Sequence, residues 1–136
     1  MTNNLTLNEI LTGYQQEFEK DSDFNELNLR ERQLMLPGIK HKYVAYMIRH
    51  KQKKYELEKA KRDAIDSLTN NYDGPVGLSH TAIENKIKSK PPIRRIDDMI
   101  KEQDIIIDYL EKVEYITKSM TYDMSNIIKI MELETT

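Results

Sequence analysis

The chain has 136 residues, 38% apolar and 32% charged, with four Gly, four Pro, no Trp and no Cys. The missing Cys excludes disulfides, thiolate metal sites and thiol nucleophiles, and so few Gly and Pro leave little material for the turns of an all-β fold. The net charge of −2 hides a polarised chain: nine basic and three acidic residues lie in 37–64, four basic and ten acidic in 96–136. That distribution points to an anionic partner or to oppositely charged surfaces meeting.

The opening segment MTNNLTLNEI lacks the basic and apolar pattern of a leader peptide. Thr6-Leu7-Asn8-Glu9 reads as a capping box, and a short acidic helix follows over about 7–19, with Ile10, Leu11, Tyr14 and Phe18 on one side. Asp21-Ser22-Asp23-Phe24-Asn25-Glu26 resembles the start of a calcium loop. Its sixth position is Glu26 instead of Gly and its twelfth is Arg32 instead of Glu, so the sharp turn and the bidentate last ligand are missing. The stretch is expected to be a solvated loop.

Pro37-Gly38 looks like a break after the apolar Leu34-Met35-Leu36, so the next helix is expected over about 38–68. This helix holds the densest charge: MIRHKQKKYELEKAKRDA, Met47 to Ala64, contains seven Lys and Arg. On a wheel of about 100° per residue, Lys40, Lys51, Lys54, Lys61 and Arg62 share an arc of about 100°. Lys42, Arg49 and Lys53 lie on roughly the opposite side. Tyr55 is the one sizeable apolar side chain between Arg49 and Glu56. A helix polar all round for two turns must bridge, project, or meet a polar partner.

Such a charge run can be a solvated face with pairs such as Lys54 and Glu58, or a phosphate track that releases counterions. In the second case Tyr46, Tyr55 and Tyr72 could stack on unpaired bases. The nucleic-acid-binding set on this basis is Arg49, Lys51, Lys53, Lys54, Lys59, Lys61, Arg62 and Tyr72.

Residues 69–92 read as a loop around Asn71-Tyr72-Asp73-Gly74-Pro75, with Thr81 to Glu84 capping a short connecting helix. The last helix is expected over about 93–131. Met99, Ile106, Val113, Met120 and Ile127 recur every seven residues, and Ile96, Gln103, Leu110, Thr117, Met124 and Met131 recur in the complementary register. This heptad makes Met99, Ile106, Leu110, Val113, Met120, Met124 and Ile127 the expected oligomerisation residues. The fold expected is all-α: two long helices in a hairpin-like arrangement, with short N-terminal and connecting helices, in one helical domain that assembles into a homo-oligomer.

No catalytic constellation accompanies these elements. His41, His50 and His80 lack acidic neighbours at metal-ligand spacing, and no Gly-rich phosphate loop or nucleophile elbow is present. The chain is expected to be a non-enzyme with no cofactor, no metal, no small-molecule substrate and no membrane span.

Several segments, in order, resemble the UvsY-type recombination mediators of T-even-like phages. They are LNEILTGYQQEFEKDSDFNELNL, LMLPGIKHKYVAYM, the basic helix, and PPIRRIDDMIKEQDIIIDYLEKVEYITKSMTYDMSNIIKIMEL. The resemblance spans about residues 7–131 and rests on order and spacing. Where family members close the basic helix with two Tyr, a small residue, Gly and a base, this chain has Asn71, Tyr72, Asp73, Gly74 and Pro75. Tyr72 and Gly74 fit the pattern; the altered neighbours move the expected binding role to Lys51 through Arg62.

The resemblance implies a ring-forming protein that binds single-stranded DNA. It also implies a role in helping a RecA-like phage recombinase displace single-strand-binding protein, in the cytoplasm of an infected bacterial host. The alternative is a coiled-coil adaptor or inhibitor whose basic helix docks an acidic protein surface.

Overall fold

Thr6 accepts the Glu9 N–H on its Oγ1 at 3.2 Å, which caps the first of four helices. The computed structural model describes residues 4–135. Among them, α1 (Leu7–Asp21), α2 (Leu29–Asn70), α3 (His80–Lys88) and α4 (Pro91–Glu134) account for the regular structure, and no strand is present. The all-α class expected from the sequence is the one observed. Met1, Thr2 and Asn3 of the segment read for a leader pattern lie outside the described residues.

The boundary of α2 differs most from expectation. It begins at Leu29 and runs through Pro37 without ending. An interior proline removes one backbone hydrogen bond and costs about 3 kcal/mol. Leu29, Leu36 and Ile39 are all buried, and each apolar side chain so placed contributes about 1.5–3 kcal/mol. Burial on both sides of Pro37 therefore outweighs the break. At about 1.5 Å per residue, α2 is ~63 Å long and α4 ~66 Å. The connecting helix α3 is capped by Ser79, whose Oγ accepts the Ala82 N–H at 3.2 Å, not by Thr81.

The chain divides into two compact units, one formed by the residues up to Arg49 with those from Ile106 onward, the other by His50–Ile105. In the first unit, Phe18 of α1, Leu29, Leu36, Ile39, Tyr43 and Met47 of α2, and Ile106, Leu110, Val113, Met120 and Met124 of α4 form one core. An aromatic group seals it: Phe18 and Tyr43 meet edge to face at 5.4 Å, Tyr43 and Tyr46 at 5.6 Å, and Tyr14 lies 5.0 Å from Tyr46. The Tyr43 hydroxyl donates to Asp21 Oδ2 at 2.8 Å, and Lys42 pairs with the same carboxylate. Asp21 is thus the last residue of α1 and a tether to α2, not part of a solvated loop. The turn after it is closed by Asn25, whose Oδ1 accepts from the Leu27 and Asn28 N–H groups.

The second unit has a small core of Ile65, Ile87 and Ile93, with Ala64, Leu68 and Ile83 against it. It is supplemented by polar bonds from α2 to α4, described below.

Candidate nucleic-acid interface

Residues of α2 from His50 onward pack in the second unit, where the polar stretch meets a polar partner. Lys54 Nζ lies 2.6 Å from Asp104 Oδ1, and Lys61 Nζ 2.6 Å from Asp97 Oδ1. One turn before Lys54, His50 Nδ1 donates to Gln103 Oε1 at 2.8 Å. The bond to Asp104 raises the Lys54 pKa above the ordinary lysine value. The heptad's polar exception at Gln103 is therefore the partner of a histidine.

These pairs correct one expectation. Lys54 and Lys61 are placed by the wheel on a free basic arc, but their side chains are only about one-third exposed and each is held by a carboxylate of α4. Lys40, on the same arc in the first unit, donates to Thr121 Oγ1 at 2.7 Å. The sequence signal for this was the acidic row Asp97 and Asp104, two turns apart on α4, set against Lys54 and Lys61 at the same seven-residue spacing on α2.

Lys51, Lys53, Lys59 and Arg62 are exposed and form no ion pair among the described residues. Lys51, Lys59 and Arg62 share one face with Tyr55 at spacings of three, four and eight residues. Lys53 lies well round the helix from them. Arg49 is exposed in the first unit, its guanidinium 5.9 Å from the Tyr46 ring centre.

The aromatic candidates separate cleanly. Tyr46 donates to Glu17 Oε1 at 3.0 Å and stands in the core's aromatic group; burial first, then that bond, raises its pKa. Tyr72 folds back over Gly74, where a Cβ would collide with its ring, and its hydroxyl is buried without a hydrogen-bond partner among the described residues. Tyr55 is 63% exposed.

The expected oligomerisation residues also divide. Ile106, Leu110, Val113, Met120 and Met124 are buried in the first unit's own core. Their heptad is consumed within one chain, because α1 and α2 supply its partner surface. Ile127 is partly buried against that core and Met99 is exposed. Of the other apolar residues of α4, Ile107 is buried in that core, while Tyr115, Ile116, Tyr122, Ile130 and Leu133 are exposed.

Among the described residues, no three His, Asp or Glu converge as a metal site, and no helix is long and apolar enough to cross a membrane. His80 lies 3.6 Å from Glu84, one turn on in α3, so contrary to the sequence expectation it does have an acidic neighbour at helical spacing; His41 is exposed.

No protein-family model matches the chain, and no curated protein does. Solved structures do. Crystal forms of the recombination mediator protein UvsY of bacteriophage T4 superpose with TM-scores of 0.79, 0.78 and 0.75 at 15%, 16% and 16% identity. The first covers 96% of this chain and 99% of the T4 chain, the second 93% and 98%. At that identity what is shared is the architecture: the four helices adopt a UvsY-like fold.

Proposed function

We propose that the protein is a recombination mediator that binds single-stranded DNA and helps load a RecA-like recombinase onto DNA covered by single-strand-binding protein. The observation that carries this is the row of exposed cations Lys51, Lys59 and Arg62, which form no ion pair among the described residues, on a helix of a UvsY-like fold. Such cations neutralise backbone phosphates without regard to sequence. Lys53 adds positive charge on another face of α2. Lys54 and Lys61 support the site by tying α2 to α4, and do not lead the contact.

The protein acts by binding and remodelling, without a reaction of its own, in the cytoplasm of an infected bacterium. Copies of the chain associate through the uncovered apolar side of α4, where Tyr115, Ile116 and Tyr122 are exposed. Repetition of the α2 face in a ring multiplies a weak contact by effective concentration.

The test is an order-of-addition assay on single-stranded DNA already covered by single-strand-binding protein. The protein should shorten the lag before a phage RecA-like recombinase assembles, read as the onset of its DNA-dependent ATP hydrolysis. An unchanged lag, with the protein bound to neither DNA nor recombinase, rejects the proposal. Binding to an acidic protein but to no oligonucleotide would favour the adaptor reading instead.

A further inference from the structure

Tyr55 has no structural employment. It is 63% exposed, makes no hydrogen bond or ring contact among the described residues, and sits where α2 has no apolar neighbours to cover. The two other tyrosines near the basic run are spoken for, Tyr46 by Glu17 and the core, Tyr72 by Gly74. Lys51 precedes Tyr55 by four residues and Lys59 follows it by four, both exposed. Residues so spaced are neighbours on a helix, with Cβ atoms about 5–6 Å apart. Arg62 continues the row, about 16 Å along the axis from Lys51. Asp66, exposed one turn further, ends it with a carboxylate.

A phenol flanked by unpaired cations offers two complementary interactions to one strand. The cations take phosphates, and the ring takes the face of a base. Only an unpaired base has a free face, since duplex bases are stacked on each other. We propose that Tyr55, between Lys51 and Lys59, is a stacking site for one unpaired base and gives this helix its preference for single strands over duplex. The proposal rests on the single-strand binding put forward above and assigns it a residue that charge alone does not require.

The test compares wild type with Tyr55→Leu, Tyr55→Gln and Tyr55→Phe by fluorescence anisotropy. The probes are an oligothymidylate, an abasic strand of equal length and a duplex. Leu and Gln are good helix formers, so α2 should be preserved, as circular dichroism will report. Tyr55→Leu and Tyr55→Gln should weaken oligothymidylate binding by roughly tenfold. Tyr55→Phe should stay near wild type. Abasic and duplex affinities, and the salt dependence, should not change. Wild-type affinity of the Leu and Gln variants for oligothymidylate overturns the stacking site alone, as does an equal loss on the abasic strand. A wild-type protein that binds none of the three probes overturns single-strand binding itself, and the stacking site with it.

Discussion

Replacing Tyr43 by Phe removes one hydroxyl and leaves the ring in place against Phe18 and Tyr46, 5.4 and 5.6 Å away. The group lost is the donor to Asp21 Oδ2 at 2.8 Å. A hydrogen bond to a charged acceptor contributes about 1.5–3 kcal/mol. Asp21 keeps Lys42 as a partner, so the lower end applies, about 1.5 kcal/mol. For a chain of this length that corresponds to a Tm lowered by roughly 3–6 °C. Tyr43→Ala also empties the core at that point and should cost about 3–5 kcal/mol.

The assay is urea and thermal unfolding followed by circular dichroism, with Asp21→Asn alone and in combination. Residues in direct contact should show a coupling of at least ~0.5 kcal/mol. A Tyr43→Phe variant as stable as wild type, or losses that simply add, would refute the role given to the Asp21 tether.

The same tyrosines set an alkaline limit. Burial raises the pKa of Tyr14 and Tyr46, and burial with the Asp21 bond raises that of Tyr43. The stabilisation tied to these protonated phenols is complete below the unfolded pKa of about 10 and is lost as pH rises above it. Tm should therefore fall above about pH 10, less steeply in Tyr43→Phe, with phenolate absorbance as the monitor. Val113→Asp with Met120→Asp places two carboxylates at positions 1% and 5% exposed in the first unit's core. Each costs several kcal/mol, so helical signal should be lost; a folded but dissociated subunit in sedimentation would contradict that placement. Lys54→Ala with Lys61→Ala should lower Tm by a few degrees and leave the salt dependence of DNA binding close to wild type. A marked flattening of that dependence would show that these two lysines meet phosphate after all.

The helical class was legible because the seven-residue recurrence on α4 is a property of local order, as is the Thr6 cap. Which surface the recurrence meets is not local. Val113 and Leu110 serve a seam between chains or a core within one equally well, and only the position of α1 and α2 decides it. Pro37 read as a stop because the rule concerns the backbone, whereas the helix continues on the burial of Leu29 and Leu36. The basic run was visible by count, but charge count does not reveal which cations are already neutralised. Lys54 and Lys51 are three residues apart and chemically identical; only Lys54 meets Asp104.

If the exposed face of α2 binds single strands by neutralising phosphates, its cations must set the salt dependence of that binding. The most direct test is the salt dependence of oligonucleotide affinity for wild type and for Lys51→Ala/Lys59→Ala/Arg62→Ala. Each phosphate contact on a single strand contributes a slope of about −0.7 in log affinity against log salt, so three lost contacts should flatten it by roughly 2. A folded triple variant with the wild-type slope and affinity would contradict phosphate binding by this face.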